Sequence, residues 1–256
     1  MNDGGVKSAR RALAILELLS ERAAALTFTE IGRALDYPRS SLHGLLRTLE
    51  ESQWIEQDEH TRSYSLGIRA WEAGSAYGRA VGLADRARRF MEEVRDALDE
   101  TVQLAVLDDG RHNVYIAKVD GAQLLVLESR VGRRLEAHAT GVGKVLLAGL
   151  PPEQQRTRLG SGPLERFTAN TIADPEALAD ELARVRARGY ALDNEEYTVG
   201  VRCVAVPVHD HTTAVVAGMS VSVPSIRFGD ERREQALALL LRASAGLSAA
   251  LGYRPA

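Results

Sequence analysis

Leucine residues recur at helical spacing early in the chain. The segment 39–51 keeps apolar residues at i, i+3, i+4 and i+7, which predicts an amphipathic helix. These residues are Leu42, Leu45, Leu46 and Leu49. A similar stripe predicts a helix over 8–19. Between the two, Thr27 and Glu30 have the spacing of a capping box, so a further helix should begin there and stop before Pro38.

Two short alternating segments follow at 54–57 and 63–66, with a polar turn between them. Alternation of apolar and polar residues predicts strands. Three helices followed by a hairpin have the outline of a winged helix-turn-helix, which we place at 1–67. The next segment, 68–82, has a helical pattern interrupted by glycines and predicts a linker helix at a domain boundary.

From residue 83 onwards, helical and alternating segments are mixed. Helices are predicted at 83–98, 141–150, 175–189 and 230–251, and strands at 102–107, 114–119, 124–128, 202–208 and 214–223. Helices at both ends of an antiparallel sheet are typical of α+β sensor domains of the PAS or GAF kind. The sequence therefore predicts an α+β protein with a GAF-like or PAS-like second domain over 83–256.

Composition limits the possible functions. The 256 residues carry a net charge of −3, which excludes a polybasic nucleic-acid binder but not a protein with local basic elements. The single cysteine, Cys203, excludes an intrachain disulfide and any metal site built from several cysteines. No signal peptide and no apolar run of 18 residues is evident, so a cytoplasmic protein without a membrane segment is expected. No metal, cofactor or catalytic residue is expected.

The third helix is the candidate recognition helix. The face opposite its leucines is polar, and the segment 39–49 has a net charge of +2. Serine and arginine side chains can bind base edges, and basic residues elsewhere can bind phosphates. The candidate DNA contacts are Lys7, Arg10, Arg11, Arg39, Ser40, Ser41, His43, Arg47 and Arg62. An ordinary solvated face would look similar at any one position, but the order of helix, turn, helix and wing favours DNA binding.

The charge balance of the first domain predicts weak binding by one subunit. Residues 1–80 carry 10 lysines and arginines against 11 aspartates and glutamates. Because phosphate neutralisation supplies much of the affinity for DNA, tight binding should require a dimer that reads two half-sites.

Motifs along nearly the whole chain resemble one known family. Four of them are SARRALAIL at 8–16, PRSSLH at 38–43, HATGVGKVLLA at 138–148 and GVRCVAVPV at 200–208. In this order they are similar to the isocitrate lyase regulator (IclR) family of transcriptional regulators. The resemblance implies a winged-helix domain that binds double-stranded operator DNA, a linker helix and a GAF-like effector domain. It also implies a homodimer or a dimer of dimers, controlled by a small organic acid or aromatic metabolite.

The resemblance also implies the location of an effector site. Its positions match Gly141, Val142, Asp193, Cys203, Ser220 and Ser222, with apolar walls near Leu124 and Leu127. Two residues depart from the family pattern. Gly44 stands where the family commonly has arginine, which removes a DNA contact, and Asp36 stands where glycine is common in the turn before the recognition helix. Aspartate tolerates a left-handed backbone reasonably well.

The residues themselves indicate an anion site in the second domain. Gly141 and Gly143 open a predicted helix, whose first N–H groups suit a carboxylate. A hairpin in which Val208 pairs with Val215 would place polar groups on one face of the sheet. The expected pairs are Cys203 with Ser220 and Val201 with Ser222. A thiol and two hydroxyls on one surface suit a small carboxylate in an otherwise apolar pocket.

Other chemistry stays open from the residues alone. A phosphate-binding loop is excluded, because His138 and Val145 occupy positions where that motif needs glycine and a hydroxyl residue. The segment 209–211 could hold a metal or form a polar hairpin turn. An acid–base pair of a hydrolase could come from Asp193, Glu195 and Glu196. The alternative to a regulator is therefore a ligand carrier or enzyme on a GAF-like fold with a vestigial winged helix.

Overall fold

The fold consists of two compact units, residues 1–81 and 82–256, each with its own core. The structure is a computed structural model, and it describes residues 6–22, 24–108, 110–122 and 130–254, with the backbone alone at 75–81. The two units are taken in turn. Among the described residues, no helix is long and apolar enough to cross a membrane.

The first unit is a helix-turn-helix with a small antiparallel sheet. Its helices are α1 (Lys7–Arg22), α2 (Phe28–Leu35), α3 (Arg39–Glu51) and α4 (Ile68–Val81). Its strands are β1 (Leu26–Thr27), β2 (Ile55–Gln57) and β3 (Ser63–Leu66), in the sheet order β1-β3-β2. The predicted helices and the hairpin wing are confirmed. The strand β1 was not predicted, because two residues are too few to show an alternating pattern.

Local chemistry explains where α2 begins and ends. The Thr27 side chain accepts a hydrogen bond from the Glu30 N–H, and the Glu30 carboxylate accepts one from the Thr27 N–H at 2.8 Å. This reciprocal pair satisfies N–H groups that have no partner inside the helix. The helix ends at Asp36, whose φ of 50° and ψ of 48° are left-handed. Aspartate therefore takes the backbone conformation that glycine would adopt at this turn.

Leucines of α3 bury one face of that helix and leave the other in solvent. Leu42, Leu46 and Leu49 are buried against α1, and Leu45 packs at the edge of the same cluster. Ile15 and Ile31 complete the centre of this core, and both are fully buried. The apolar stripe that predicts the helix therefore also determines which face remains available to a partner.

The second unit is an α+β domain. Its helices are α5 (Leu83–Leu98), α6 (Gly141–Ala148), α7 (Pro152–Leu159), α8 (Pro175–Arg188) and α9 (Asp230–Ala250). Its strands are β4 (Thr101–Leu107), β5 (His112–Val119), β6 (Arg134–Glu136), β7 (Ala191–Asn194), β8 (Val201–His209) and β9 (Val215–Pro224). The described strands form one antiparallel sheet in the order β6-β5-β4-β9-β8-β7.

Each face of this sheet has its own cluster of buried residues. Side chains such as Leu104 and Val221 pack with α5 and α9 on one face. Ala205 and Tyr115 pack with α6 and α8 on the other face. Side chains alternate along a strand, so residues on either side of Val204 and Val221 point toward α6. This second face carries the polar residues of the candidate site.

The structure corrects the predicted register of the β8–β9 hairpin. Cys203 pairs with Ser222 rather than Ser220, and Ser220 lies opposite Ala205. His209 rather than Val208 pairs with Val215, and a bulge between Val208 and His209 then places Val208 opposite Ala217, so the ladder is shifted by two residues from the prediction. An even shift leaves every side chain on its predicted face, so the shared surface of the thiol and hydroxyls is retained. Val201 lies opposite Pro224, not Ser222.

Other boundaries differ from the predictions in smaller ways. The helix α6 ends at Ala148, two residues earlier than expected, and α7, β6 and β7 were not predicted. The expected strand over 124–128 lies outside the described residues. The helix α4 (Ile68–Val81) occupies the segment where the linker helix is expected. The three-part division at 67 and 82, with a separate linker, stays a prediction.

Candidate DNA-binding helix and effector site

The solvent face of α3 carries most of the candidate base contacts. Arg39, Ser40, His43 and Arg47 are exposed, and Ser41 is half-buried. A side chain at Gly44 would meet nothing within 4 Å, so this position leaves a gap in the exposed surface. The helix therefore presents an open polar surface of two arginines, a histidine and serines, which can hydrogen-bond to base edges.

Two arginines among the candidates already have partners within the first unit. Arg11 donates to the Ser41 hydroxyl at 3.0 Å, and its guanidinium lies 4.9 Å from the centre of the Tyr37 ring. This contact ties α1 to the start of α3. Arg47 forms an exposed ion pair with Glu51 at 2.8 Å. A phosphate would have to displace Glu51, which exposed pairs permit at small cost.

The remaining basic candidates lie at the wing and at the start of α1. The Asp58 carboxylate accepts hydrogen bonds from the N–H groups of His60 and Thr61 and shapes the wing turn. Arg62 ends that turn with a left-handed φ of 56° and is exposed. Lys7 and Arg10 are exposed in the first turn of α1.

In the second unit, the N-terminus of α6 lies against the sheet. The Thr140 hydroxyl caps the helix by accepting from the Gly143 N–H at 3.1 Å, and it donates to Asn113 at 2.7 Å. A Cβ at Gly141 would lie 3.4 Å from that of Ala205 and 3.7 Å from that of Asp193. The first N–H groups of a helix have no internal acceptor. They are therefore presented to β7 and β8 in a position that suits an anion.

A row of small polar side chains forms the sheet surface near this helix end. The Cys203 sulfur lies 3.1 Å from the Ser222 hydroxyl, which donates to Gln103 Oε1 at 2.9 Å. Ser220 donates to the same oxygen at 3.3 Å. Gln103 is a buried residue that the sequence analysis missed. A polar residue in the otherwise apolar segment 102–107 was the available signal.

Two carboxyl groups and one cation lie beside this row. Asp193 is 5% exposed and accepts a hydrogen bond from the Glu196 N–H at 2.8 Å. The Lys144 ammonium lies 2.5 Å from Glu196 Oε1. Burial, and secondarily the Glu196 carboxylate, raise the pKa of Asp193 to about 7, although Lys144 opposes the shift. The sequence analysis gave Lys144 no role and did not predict its pairing with Glu196, because 52 residues separate these two along the chain.

Neutral forms dominate the rest of the site. Burial, and then the nearby Asp193, raise the pKa of the Cys203 thiol well above its usual range. A thiol with a raised pKa is a poor nucleophile, because the thiolate is the reactive form. Burial also raises the pKa of Tyr115. Cys203 and Tyr115 are therefore in their neutral forms and can hydrogen-bond to a ligand.

Two of the three candidate acid–base carboxylates are engaged by other groups, and the candidate metal segment forms a hairpin turn. Glu195 is held at the surface by the Gly200 N–H, and Glu196 is occupied by Lys144. The segment 209–211 lies at the β8–β9 turn, where Asp210 accepts from Thr212. No group of three potential metal ligands occurs within the described ranges.

The structure brings six of the eight effector candidates to one region. Two of them, Gly141 and Val142, lie in the first turn of α6. The remaining four lie across from it on β7, β8 and β9, and they are Asp193, Cys203, Ser220 and Ser222. The two expected wall residues, Leu124 and Leu127, lie outside the described residues. Their role stays a prediction.

Comparison with known proteins matches both units to one family. Residues 75–249 match a family described as "Bacterial transcriptional regulator IclR C-terminal", and residues 8–59 match the "IclR helix-turn-helix domain". The HTH-type transcriptional regulator XynR of Escherichia coli is 39% identical over 248 residues, which are 97% of this chain and 98% of XynR. The HTH-type transcriptional regulator BhcR of Paracoccus denitrificans is 37% identical over 253 residues, with 99% and 90% covered.

Solved structures agree over nearly the full length. The IclR of Thermotoga maritima has a TM-score of 0.77 and 32% identity, covering 96% of this chain and 99% of its own. An IclR homolog from Microbacterium hydrocarbonoxydans, crystallised in complex with 4-hydroxybenzoate, has a TM-score of 0.85 and 28% identity, with 96% and 99% covered.

These matches confirm the family resemblance that the sequence motifs indicate. They also confirm a DNA-binding transcriptional regulator over the alternative of an enzyme or ligand carrier, because the relatives named above with 37–39% identity are regulators. With both domain profiles matched in order and identity extending over nearly all of its length, the chain belongs to the IclR family of transcriptional regulators.

Proposed function

We propose that this regulator binds operator DNA through α3 and the wing, and that a small carboxylate bound beneath the N-terminus of α6 controls that binding. One observation carries the effector half of the proposal: Gly141, in the first turn of α6, lies against Asp193 and Ala205, on the sheet face that also carries Cys203 and the two serines. Helix N-termini favour anions, and the hydroxyls of Ser220 and Ser222 add hydrogen bonds when they turn from Gln103 Oε1 toward the ligand. The relative crystallised with 4-hydroxybenzoate supports a carboxylate as the ligand class.

Fluorescence anisotropy with labelled intergenic DNA upstream of the regulator's own gene tests the DNA half. Operator binding should exceed binding to random-sequence competitor by at least about 10³-fold at moderate salt. Arg39→Ala and His43→Ala should each weaken operator binding, by about 1–3 kcal/mol if they read bases. Arg184→Ala, on the exposed surface of α8, is the matched control and should bind normally. Equal affinity for operator and competitor would reject the proposal.

Salt dependence separates base contacts from phosphate contacts. Lys7→Ala and Arg62→Ala should weaken binding to every sequence alike and reduce the slope of log K against log salt by about 0.9 for each lost contact. An unchanged slope would remove these residues from the interface. Arg11→Ala should act differently, because Arg11 holds Ser41 and Tyr37 and its loss would disturb the position of α3.

Variants of the polar row test the effector half. Ser222→Leu and Cys203→Trp should abolish the release or strengthening of operator binding by carboxylates while operator binding itself is retained. Ser161→Leu, at an exposed position of the same unit, is the control. A normal effector response in both site variants would place the effector elsewhere.

We further propose that the DNA-binding form is a homodimer or a dimer of dimers acting in the cytoplasm, where operator DNA is found. The support is the charge balance of residues 1–80, with 10 basic and 11 acidic side chains, which gives one subunit little electrostatic affinity for DNA. Analytical ultracentrifugation of the protein with and without an operator duplex measures the stoichiometry. One protein chain per duplex at saturation would contradict the proposal.

A further inference from the structure

The charge count beneath α6 does not suit an anion without a further change. Asp193 and Glu196 place two carboxyl groups in a region where Lys144 is the facing cation, and the Lys144 side chain is 1% exposed. That cation is paired with Glu196 Oε1, whereas Glu196 Oε2 has no hydrogen bond. Among the residues that the structure describes, Asp193 therefore lacks a cation of its own, and a bound carboxylate would bring a third negative group beside it.

The other groups that face Asp193 offer no compensating charge. From β8 it faces the Cys203 thiol, and from β5 the Tyr115 hydroxyl, and both have a raised pKa. From the loop after β7 it receives the backbone N–H groups of Glu196 and Tyr197. Uncharged donors stabilise a carboxylate less than a cation does, and a neighbouring carboxylate destabilises it further.

A ligand anion at the helix end would come close to Asp193. A Cβ built at Gly141 would be in van der Waals contact with the Asp193 Cβ at 3.7 Å, so Asp193 lies directly against the first turn of α6. Two like charges placed side by side in a site of low dielectric constant repel each other. Protonation of one carboxyl removes that repulsion and supplies an O–H donor.

We propose that the effector site binds a carboxylate together with one proton, and that the proton resides on Asp193. The proton comes from solvent, and the resulting O–H donates a hydrogen bond to the ligand carboxylate, while the first N–H groups of α6 bind the rest. The inference rests on the proposed function of this site. A pKa near 7 makes the proton available at little cost near neutral pH. Glu196 and Lys144 then act as positioning residues, since the Glu196 N–H holds the Asp193 carboxyl.

Calorimetry of the full-length protein tests the proposal with 4-hydroxybenzoate and lactate, an aromatic and an aliphatic probe that stay ionised from pH 6 to 8. Each is titrated at constant ionic strength in pairs of buffers whose ionisation enthalpies differ, MES and Bis-Tris at pH 6 and HEPES and Tris at pH 8. For a site with a pKa of about 7, binding should be about tenfold weaker at pH 8 than at pH 6. Proton uptake should approach one per ligand at pH 8 and fall toward zero at pH 6.

Variants locate the proton. Asp193→Asn should bind the same probe equally at both pH values, without proton uptake, and Asp193→Ser provides a second non-titrating variant. Asp210→Asn, in the exposed β8–β9 turn, is the matched control and should keep the tenfold dependence. The wild-type comparison in two buffers measures proton uptake without any variant, so it does not depend on how well the substituted proteins fold.

The outcomes separate the two levels of inference. Wild-type binding that is equal at pH 6 and 8 and takes up no proton would overturn the proton proposal and leave the carboxylate site standing. Unchanged pH dependence in Asp193→Asn would overturn it as well, by placing the proton on another group. Failure of both carboxylates to bind at pH 6, with or without binding of the neutral 4-hydroxybenzamide, would overturn the proposed carboxylate effector and this inference with it.

Discussion

Lys144 carries its charge on a side chain that is 1% exposed, in the second turn of α6. A buried ammonium group requires a partner, and the Glu196 carboxylate supplies it. The hydrocarbon part of the lysine fills space under the helix, and the charged end reaches the loop after β7. One residue therefore connects α6 to the segment that positions Asp193.

Removal of either partner of this pair should be costly. Lys144→Met leaves the Glu196 carboxylate buried without a cation, and we expect a loss of about 3–5 kcal/mol in the free energy of unfolding, measured with urea. The double variant Lys144→Met with Glu196→Gln should recover part of this loss, because no unpaired charge remains. Arg47→Met, which breaks the exposed Arg47–Glu51 pair, is the control and should change stability by less than about 1 kcal/mol. If Lys144→Met and Arg47→Met lowered the free energy of unfolding equally, the burial of the Lys144–Glu196 pair would be contradicted.

Asp193 predicts a pH dependence of stability with a definite sign. Its pKa is about 7 in the folded protein against 3.8 for a free side chain, so the folded state binds the proton more tightly. Between these values the folded state holds more protons than the unfolded state, and stability falls as pH rises from about 4 to 7. The full shift corresponds to at most about 4 kcal/mol. Urea unfolding of wild type and Asp193→Asn at pH 5 and pH 8 measures the fall in the free energy of unfolding. This fall should be smaller in the variant by the contribution of Asp193. If stability fell equally in Asp193→Asn and wild type, the pH dependence would come from other groups.

At the scale of elements, α3 and α6 use glycine for different reasons. Gly44 lies on the open face of α3, where a Cβ would meet no atom within 4 Å. Gly143 lies in the first turn of α6, where a Cβ would stand 2.2 Å from the Ala137 carbonyl oxygen. The first glycine is replaceable without a clash, and the second permits the close approach of the first turn of α6 to the backbone of Ala137.

Alanine at each glycine distinguishes the two cases. Gly44→Ala should raise the free energy of unfolding by up to about 1 kcal/mol, because alanine has the higher helix propensity. Gly143→Ala should lower it by about 1–3 kcal/mol, because backbone atoms must move to admit the methyl group. Chemical denaturation of both variants gives the comparison. Destabilisation by Gly44→Ala would indicate a contact on that face that the described residues do not provide.

At the scale of the whole molecule, each unit buries its own set of side chains. Ile31 belongs to the core around α1 and α3, and Leu104 belongs to the core between the sheet and the helices α5 and α9. Both are fully buried. Separate cores predict that the units unfold as separate cooperative transitions.

Differential scanning calorimetry of the full chain should therefore show two transitions. Ile31→Ala and Leu104→Ala should each destabilise one unit by about 2–5 kcal/mol through the cavity left behind, and should shift different transitions. A carboxylate that binds the effector site should raise only the transition that Leu104→Ala lowers. A single transition shifted by both variants would show that the two units unfold together.

The sequence by itself determined the local elements and much of the candidate site. Helical spacing and the Thr27–Glu30 capping box are set by neighbouring residues, so they were predictable. Family motifs then indicated which residues of α6, β8 and β9 form the site. The spacing of the hairpin also placed Cys203 and both serines on one face, since alternation survives an even shift of register.

Only the tertiary structure decided which of these groups meet. The bulge beside His209 set the actual pairs of the hairpin, and packing against β4 brought Gln103 to the serines. The Lys144–Glu196 contact spans 52 residues, and its consequence for Asp193 depends on burial. A pattern along the chain reports which side chains share a face. Which side chains touch, and which carboxyl group is left without a cation, follows from the packing of distant elements and the water that packing excludes.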